Sequence, residues 1–403
     1  MSKTIFFSVG EPSGDQHAAR LIRSLSKLTP ELKLRGFGGQ NMREAGCAVD
    51  LDLTEHAVVG ILEVLPKLRQ FFRFADQAEA IFASGQVDAV VLVDFPGFNW
   101  HIAKRAKKYG IPVIYFCPPQ LWAWGAWRVK KMKATVDHVL AVLPIEETFF
   151  GEHGIPTTYV GHPFFDAVAE SELDPSLSAL LDAAAPSRRT VAVLPGSRTH
   201  EVHRNWPVML AAIRELSIAH PDVRFAVAAY REKHLEFCKT IAAANDRDLP
   251  VDFYLGATSE IIDHAQCAMM VSGSVSLELM ARETPAAVIY RVGRFLYAYG
   301  KCVIKVDSMT LPNLMPESSA DEADGERVFP ECVSVGDPTK AKEFLVQSVG
   351  RMLGDRAYLE QKCRQLAGLR RQYAKPGATD RAAREIAELL SIGVDGQPGK
   401  RAA

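Results

Sequence analysis

Short apolar runs alternate with amphipathic segments over most of the chain. Residues 4–9 form an apolar run that predicts a strand, and a glycine-containing turn at 10–14 follows it. Apolar positions then recur at helical spacing over residues 17–28, and another apolar run covers 34–37. This stretch therefore predicts a strand, a turn, a helix and a second strand in succession.

The same order of elements recurs further along the chain. The run AVVLV at 89–93 predicts a strand, helical spacing covers 101–109 after a Pro/Gly turn, and PVIYF at 112–116 predicts the next strand. Because buried strands that alternate with helices pack as parallel sheets, this half of the chain predicts a doubly wound parallel sheet.

The pattern breaks after residue 163 and then restarts. Residues 173–189 are rich in Ser, Asp, Pro and Ala, and they predict a linker followed by the first helix of a second domain. Strands are then predicted at 190–194, 223–228, 268–271 and 286–290, and helices at 205–220 and from 276. The fold class is thus α/β, with two Rossmann-like doubly wound domains facing a cleft, where such folds bind ligands.

Composition disfavours several classes of protein. The chain has 403 residues, 48% of them hydrophobic, and its formal charge of −1 gives no global attraction to nucleic acid. Its seven cysteines contain no C-x-x-C pair, which favours reduced thiols in the cytoplasm. No apolar run is long enough for a signal peptide or a membrane span.

Motifs for metals and for common cofactors are missing from the sequence. His200 and His203 do not have the spacing of the H-E-x-x-H zinc motif, so no metal is predicted. The glycines at 36–39 do not complete G-x-G-x-x-G, and there is no Walker A motif. An enzyme that depends on NAD or ATP is therefore disfavoured, and no cofactor is predicted.

Three turns that follow predicted strands are suited to phosphate. They are SVGEPSGD at 8–15, VLPGSR at 193–198 and SGS at 272–274, where backbone N–H groups and a helix start attract anions. Arg198 adds a guanidinium beside the second turn, and Glu278 offers a carboxylate to ribose hydroxyls beside the third. The alternatives are tight strand-to-helix connections and, for Glu278, a capping role. Two such turns in one half favour a nucleotide.

Asp94 ends a strand that is otherwise wholly apolar. A partly desolvated carboxylate at the carboxyl end of a parallel strand is suited to general-base catalysis, because burial raises its pKa towards the working pH. The alternative is an aspartate that caps the following turn.

Two segments combine large apolar residues with cations. PPQLWAWGAWRVKKMK at 118–133 suits a ligand with apolar, sugar and anionic parts, or else forms a core aromatic cluster beside a solvated basic turn. ILEVLPKLRQFFRF at 61–74 suits a helix in an anionic membrane interface, or else forms a core-facing helix with a basic outer face.

Ten segments carry a family likeness, in the order and at the spacing of that family. They are GEPSGD (10–15), GFGGQNM (36–42), VVGILEVLPKL (58–68), VDFPGFN (93–99), PPQLWAW (118–124), VLPIEETFF (142–150), YVGHP (159–163), LPGSR (194–198), SGSVSLE (272–278) and LPNL (311–314). On these segments the chain resembles, from residue 7 to roughly 332, the lipid-A-disaccharide synthases, bacterial glycosyltransferases of the GT-B type. The PQ-x-WAW and LPN segments are the specific ones.

The resemblance implies an activity and a set of site residues. Such enzymes transfer 2,3-diacylglucosamine from its UDP derivative to 2,3-diacylglucosamine 1-phosphate with inversion, without a metal or cofactor. Asp94 matches the aspartate proposed for catalysis. The residues implied in UDP and phosphate binding are Gly196, Ser197, Arg198, Ser272, Gly273, Ser274 and Glu278. Those implied in binding the other parts of the substrates are Glu11, Ser13, Gly14, Gln120, Trp122, Trp124 and Asn313.

The resemblance also implies how the chain divides. The GT-B fold returns its C-terminal helix to the first domain, so residues 1–166 and a helix at about 376–391 are expected to form the domain that faces the acceptor and the membrane. Residues 167–375 are expected to form the UDP-sugar domain, and 392–403 a disordered tail.

Partners and location follow from the same resemblance. We expect the 1-phosphate and acyl chains of the acceptor to meet the tryptophans and cations at 122–133, and the 61–74 segment to lie on the inner membrane. The expected location is cytoplasmic and peripheral to that membrane. The expected partners are the two substrates, the membrane surface and, as an assembly to be tested, a second copy of the chain, with no nucleic acid.

The chain departs from the family pattern at three places. Pro12 replaces a small residue, Gly97 replaces a carboxylate near Asp94, and an acidic stretch at 317–326 is inserted after Asn313. The alternative functions are another GT-B enzyme for UDP-sugars, either a lipid-acceptor N-acetylglucosaminyltransferase or an epimerase, and an inactive homologue that binds UDP or lipid.

Overall fold

The chain folds into two compact units. The computed structural model describes residues 2–56, 68–184, 188–245, 248–304, 306–315 and 326–391. The first unit contains the chain up to Asp166 together with the part from Pro376 onward, and the second unit spans Ala167–Lys375. The tail predicted at 392–403, the first part of the 61–74 segment and nearly all of the acidic insertion lie outside the described residues.

The first unit is built on a parallel sheet. Its strands among the described residues are β1 (Thr4–Val9), β2 (Lys33–Gly38), β3 (Ala48–Asp52), β4 (Ala89–Val93), β5 (Val113–Phe116), β6 (His138–Ala141) and β7 (Thr157–Tyr159). They lie in the order β3-β2-β1-β4-β5-β6-β7, and every neighbouring pair is parallel. The central strands β4 and β5 are buried throughout, as expected of a sheet covered on both faces.

Helices cover this sheet and begin earlier than the apolar spacing indicates. Those described up to the end of the first unit are α1 (Pro12–Leu28), α2 (Gln40–Glu44), α3 (Leu68–Ala83), α4 (Pro96–Lys108), α5 (Val129–Thr135), α6 (Pro144–Glu152) and α7 (Phe164–Glu170). The starts predicted at residues 17 and 101 are wrong, because α1 and α4 begin with a proline inside the preceding turn. Proline is favoured at the first helical position, which accounts for Pro12 departing from the family pattern.

The second unit repeats this architecture. Its described strands are β8 (Arg189–Leu194), β9 (Val223–Ala229), β10 (Val251–Leu255), β11 (Cys267–Val271), β12 (Ala286–Val292) and β13 (Glu331–Val335). They pair in parallel in the order β10-β9-β8-β11-β12-β13. The alternation predicted from the sequence is therefore confirmed in both halves.

Helices on both sides of the second sheet enclose its core. They are α8 (Pro175–Ala184), α9 (Thr199–Ala219), α10 (Glu232–Asn245), α11 (Thr258–His264), α12 (Val275–Ala281), α13 (Arg294–Val303), α14 (Thr339–Gly354) and α15 (Arg356–Tyr373) in the described residues. Trp206 of α9 is fully buried, and its indole Nε1 donates a hydrogen bond of 3.1 Å to the Cys238 carbonyl oxygen. This bond satisfies the polar atom of a large core side chain.

The last described helix, α16 (Ala378–Leu389), packs against α1 in the first unit. The Asp166 carboxylate accepts the backbone N–H groups of Gly377 (2.6 Å), Ala378 (3.0 Å) and Thr379 (2.8 Å). A carboxylate at this position satisfies the donors that a helix leaves unpaired at its N-terminus. Asp166 therefore anchors the returning end of the chain.

Candidate active site

Asp94 directly follows β4 at the carboxyl edge of the first sheet. Its backbone is left-handed (φ 48°), and Asn99 Nδ2 and Tyr115 Oη each donate a hydrogen bond of 2.7 Å to its carbonyl oxygen. Burial raises the pKa of the Asp94 carboxyl, although a hydrogen bond from the Phe95 N–H works in the opposite direction. The carboxylate thus has the position and the raised pKa of a general base, and its catalytic role stays a prediction.

Asn99 ties the ends of β1 and β4 together. Ser8 Oγ donates to Asn99 Oδ1 (2.7 Å), while Asn99 Nδ2 also reaches the Ser8 carbonyl oxygen (3.2 Å). Both residues are fully buried. Asn99 and Tyr115 were not predicted as site residues, although Asn99, which together with Asp94 is polar within the VDFPGFN segment, is a usable signal.

The glycines of the turn at 10–14 allow close packing against the residues after β4. A Cβ atom at Gly10 would lie 2.2 Å from the Phe95 ring, and one at Gly14 would lie 3.7 Å from the Asp94 Cβ. The Gly10 position therefore admits no side chain without movement of Phe95. Packing accounts for this glycine, and the binding of an anion at the turn stays a prediction.

Glu11 and Ser13 are the other polar residues predicted at this turn. Ser13 is exposed, whereas Glu11 is half-buried immediately before α1. Both Asp94 and Glu11 raise the pKa of the Tyr115 hydroxyl, after the larger effect of its burial. Glu11 therefore brings a second negative charge to the Asp94 neighbourhood. At Gly97, where the family has a carboxylate, an added Cβ would meet no atom within 4 Å.

Asp15, at the end of the GEPSGD segment, is buried and holds the GFGGQNM segment. Its Oδ1 accepts the Gly39 N–H (2.8 Å), and its Oδ2 accepts the backbone N–H of Asn41 (2.9 Å) and Asn41 Nδ2 (2.8 Å). Two segments of the family likeness are thus one hydrogen-bonded structure. This carboxylate stabilises the start of α2 and is saturated by donors.

The tryptophan segment divides into a buried and an exposed part. Trp122 is 7% exposed, whereas Trp124 and Trp127 are 43% and 67% exposed. The Gln120 carbonyl oxygen accepts the Trp124 N–H at 3.2 Å, which closes a tight turn. The Arg128 guanidinium lies over the Trp124 ring at 4.3 Å. Trp124 is therefore accessible to a ligand, while contact of Trp122 and Gln120 with substrate stays a prediction.

Cations next to this segment create a positive local field. Burial lowers the pKa of both His101 and Lys131, and neighbouring cations lower each of them further. The His101 ring lies 5.2 Å from the ring of Phe72, which is 46% exposed on α3. Arg128 is one of the cations that lower the pKa of Lys131, and its guanidinium also lies near the Trp127 ring. We call this set the basic aromatic surface: Phe72, His101, Trp124, Trp127, Arg128 and Lys131.

In the second unit, the turn at 194–198 already holds a carboxylate. Gly196 is left-handed (φ 124°), and a Cβ there would lie 2.7 Å from Glu201 Cβ. Glu201 Oε2 accepts the N–H groups of Ser197 and Arg198 at 3.2 Å each. The donors expected to bind phosphate are thus capped by Glu201 of α9, a residue that was not predicted from the sequence. The Arg198 side chain is 55% exposed, and phosphate binding here stays a prediction.

The turn after β11 is open to solvent. Gly273 and Ser274 are exposed, whereas Ser272 Oγ donates a hydrogen bond of 2.7 Å to the Met309 carbonyl oxygen. That bond links the turn to the chain just before LPNL. Small exposed residues leave the backbone accessible to a ligand, as the nucleotide prediction requires.

Glu278 stands in α12 just beyond this turn and is buried. Its Oε1 accepts hydrogen bonds from Ser259 Oγ (2.6 Å) and Arg282 Nε (3.2 Å). The capping alternative is wrong, because Ser274 at the start of α12 makes no side-chain capping bond. A carboxylate held in this way has a fixed orientation, and its contact with ribose stays a prediction.

Asn313 uses both ends of its amide within the second unit. Its Nδ2 donates to the Phe329 carbonyl oxygen (2.8 Å), and its Oδ1 accepts the Phe329 N–H (2.9 Å). The residue therefore fastens the LPNL segment to the chain before β13. This structural role was not foreseen, and the predicted substrate contact of Asn313 stays a prediction.

The described ranges hold neither a membrane-spanning helix nor a cluster of metal ligands. Within them no helix is long and apolar enough to cross a membrane. The same ranges contain no group of three His, Cys, Asp or Glu side chains placed to hold a metal ion. The first unit brings Glu11, Gly14 and Asp94 together, and the second unit brings the 272–274 turn and Glu278 together.

Known proteins match the sequence over nearly its whole length. A family model described as lipid-A-disaccharide synthetase matches residues 5–331. A relative named lipid-A-disaccharide synthase from Geobacter sulfurreducens is 33% identical over 391 residues, which cover 96% of this chain and 98% of the relative. The segments of the family likeness thus belong to a similarity that extends through both units.

Solved structures with a similar fold share little sequence with the chain. A UDP-GlcNAc 2-epimerase from Neisseria meningitidis bound to UDP-GlcNAc has a TM-score of 0.62 at 14% identity, covering 98% of this chain and all (100%) of the other. The glycotransferase of kitacinnamycin has a TM-score of 0.60 at 14% identity, covering 96% and 99%. At such identity the likeness concerns the fold alone, and it confirms the predicted GT-B class.

Proposed function

Because the chain belongs to the lipid-A-disaccharide synthase family, we propose that it transfers 2,3-diacylglucosamine from its UDP derivative to 2,3-diacylglucosamine 1-phosphate. The products are the β-1,6-linked disaccharide 1-phosphate and UDP. One observation carries this proposal: a relative of that name is 33% identical across both units, whereas the epimerase shares the fold at 14%. The chain is thus a glycosyltransferase, and the epimerase alternative is disfavoured.

Asp94 is proposed as the general base. The acceptor hydroxyl attacks the anomeric carbon, the bond from that carbon to UDP breaks, and the hydroxyl proton passes to the Asp94 carboxylate. Support comes from the burial that raises the pKa of this carboxyl and from the fixed backbone at the end of β4. An aspartate with an unshifted pKa would be a weaker proton acceptor near neutral pH.

The second unit is proposed to hold UDP. The exposed turn at Ser272–Ser274 offers backbone N–H groups to phosphate, and Glu278, held by its neighbours, offers acceptors to the ribose hydroxyls. The half-exposed Arg198 is long enough to leave its exposed ion pair with Glu201 and bind the diphosphate. Its charge then stabilises the negative charge that develops on the departing UDP.

The basic aromatic surface is proposed as the place where the lipid acceptor and the membrane meet the first unit. Exposed rings suit acyl chains and the interface, while Arg128 and Lys131 suit the 1-phosphate and anionic headgroups. Leu68 on the same helix as Phe72 is 39% exposed, which extends the apolar area. We propose peripheral association with the inner membrane on this basis, and a homodimer that sedimentation of the purified protein would test.

Turnover with defined substrates tests the function. Purified protein is incubated with both acylated sugars in the presence of EDTA, and UDP and disaccharide are followed by mass spectrometry. We expect disaccharide from the acylated donor and none from UDP-N-acetylglucosamine, which lacks the acyl chains. Product from the unacylated donor would favour the N-acetylglucosaminyltransferase alternative, and saturable UDP binding without any product would favour the inactive homologue.

A further inference from the structure

Glu146 is a buried carboxylate that the proposed reaction does not use. It stands in the first turn of α6 with 1% exposure, and its Oε2 accepts the N–H groups of Val142 (2.9 Å) and Leu143 (3.0 Å). Val142 directly follows β6, so Glu146 lies at the same carboxyl edge of the sheet as Asp94. The described partners of this carboxylate are N–H groups rather than cations.

Trp122 is the aromatic neighbour of Glu146. Its Nε1 atom is buried and makes no hydrogen bond in the described structure, but the indole N–H is close enough to Glu146 to lower the pKa of the carboxyl. Trp122 lies in the tight turn that Gln120 and Trp124 close by a backbone hydrogen bond. Glu146 therefore connects this turn to the end of β6.

Two opposing effects act on the pKa of the Glu146 carboxyl. Burial raises its pKa to about 7, even though the three N–H groups lower it. Cys117, which directly follows β5, is the titratable neighbour of Glu146 on that side. Burial raises the pKa of the Cys117 thiol, and the charges of Asp94 and Glu146 raise it further. On α6 itself, Glu147 instead accepts the Tyr159 N–H of β7 at 3.1 Å.

We propose that Glu146 is a positioning residue, whose ionised carboxylate holds Trp122 and thereby presents Gln120 and the exposed ring of Trp124 to the lipid acceptor. The inference rests on the proposed function for the identity of the acceptor. It assigns the buried Trp122 to holding the turn rather than to direct contact with substrate.

Protonation of Glu146 should loosen this arrangement. An ionised carboxylate accepts from all three donors, whereas the protonated carboxyl becomes a donor at one oxygen. The indole N–H can only donate, so the Trp122 contact, already the least regular of the three, is lost first. We therefore expect the KM for the acceptor to rise as the pH falls below about 7, while the KM for the donor stays constant.

The substitution Glu146→Gln tests this proposal. The amide oxygen still accepts the two backbone N–H groups, but the NH₂ group now opposes the indole N–H. We expect the acceptor KM to rise roughly tenfold, as for the loss of one charge-assisted hydrogen bond, and to lose its dependence on pH between 6 and 8. Because the ionised carboxylate is costly to bury, the melting temperature at pH 8 should be unchanged or higher.

Two further variants separate positioning from folding. Trp122→Phe removes the N–H and retains an aromatic ring, so it should raise the acceptor KM to a similar extent. The combination with Glu146→Gln should add little, because both remove one contact. Glu147→Gln is the matched control, since this exposed glutamate is next in sequence and also accepts a backbone N–H. It should leave both KM values and the pH dependence unchanged.

A readout without turnover keeps the inference independent of the proposed function. The near-ultraviolet circular dichroism of the tryptophans should titrate near pH 7 in the unsubstituted protein and not in Glu146→Gln. An unchanged acceptor KM in both Glu146→Gln and Trp122→Phe overturns the proposal. So does a lowered melting temperature with an unaltered KM, which indicates a structural role only. If no acceptor turns over at all, the spectral titration still decides whether Glu146 holds the turn.

Discussion

The side chains near the carboxyl ends of the strands differ between the two units. In the first unit the residues around the strand ends include the carboxylates Glu11, Asp94 and Glu146, and burial raises the pKa of the latter two. In the second unit the turns after the strands carry small residues at 272–274 and the exposed Arg198, and the carboxylates beside them, Glu201 and Glu278, are paired with arginines. One α/β framework thus offers candidate groups for proton transfer in one unit and for the binding of an anion in the other, and the turns supply the difference.

Backbone conformation at the strand ends also differs between the two units. Asp94, Phe95 and Cys117, which follow β4 and β5, all have left-handed backbones although none is glycine. In the second unit Gly196 of the 194–198 turn is left-handed without steric cost, and the described left-handed non-glycine residue, Glu283, lies between α12 and β12 rather than at the carboxyl end of a strand. Strained non-glycine residues persist where the surrounding structure fixes them, and they concentrate at functional sites. The ends of β4 and β5 in the first unit are therefore marked by such residues.

The strongest test of this comparison is Asp94→Asn. If proton transfer depends on the first unit, kcat should fall by about 10²–10⁴-fold, while UDP affinity measured by calorimetry stays the same. Asp76→Asn, an exposed aspartate of the same unit, is the matched control and should keep its kcat. A variant at position 94 that folds and keeps its kcat would break the comparison.

The reciprocal test is Arg198→Ala in the second unit. Loss of a guanidinium from a diphosphate should raise the dissociation constant of UDP by roughly 10–100-fold, and the pH profile set by the first unit should not move. Arg356→Ala, whose side chain is 90% exposed in the same unit, should leave UDP binding unchanged. Equal UDP affinity in both variants would show that Arg198 does not bind the nucleotide.

Asp166→Ala sharpens the comparison by removing a carboxylate of the first unit that has a structural role. It leaves three backbone donors of α16 without their acceptor, so the free energy of unfolding should fall by about 3 kcal/mol. The kcat of the folded fraction should not change. A loss of kcat without a loss of stability would mean that Asp166, and not the strand-end carboxylates alone, takes part in the reaction.

A smaller effect is expected from pH, through two histidines of the first unit. The His17 and His162 rings lie 6.0 Å apart, and desolvation lowers the pKa of His17 to about 4 and of His162 to about 3. The unfolded chain, with ordinary histidine pKa values near 6.5, then binds more protons than the folded chain as the pH falls. These two histidines therefore contribute a loss of stability on acidification.

We expect the contribution of these two histidines to the free energy of unfolding to fall by on the order of 1 kcal/mol between pH 7 and pH 6. The buried carboxyls of Asp94 and Glu146, whose pKa values are raised, offset part of this fall, so the comparison with a histidine variant isolates it. Urea unfolding at a series of pH values, followed by tryptophan fluorescence, measures this slope. His17→Asn should make the slope shallower. A slope that His17→Asn leaves unaltered would assign the acid sensitivity to other groups.

The sequence predicted the buried strands better than those at the edges of the sheets. The runs at 89–93 and 268–271 are apolar throughout, because both faces of these strands are covered. The edge strands β3, β7 and β10 have half-exposed residues and no continuous apolar run, so the pattern did not reveal them. Helix starts were placed late because their first turns are polar and carry no apolar spacing.

The residues of the candidate site could also be predicted only in part. Asp94 was predictable, since a charged residue at the end of an apolar strand is a local signal. Glu146 and Glu201 were not, because their significance depends on partners and burial that the folded chain alone creates. Asn313 likewise acts through Phe329, which lies beyond an insertion in the sequence. The local sequence pattern therefore indicates a candidate functional side chain more readily than the residues that fix its surroundings.

The cap that Asp166 forms on α16 has a consequence for biosynthesis. The capped N–H of Gly377 lies 211 positions further along the chain, so the ribosome must synthesise the whole second unit before the first unit receives its last helix. Contacts of such long sequence separation form slowly, and chains of this size fold domain by domain as they emerge. Until then α1 exposes the surface against which α16 packs, so the nascent first unit needs protection from aggregation while the second unit is being made.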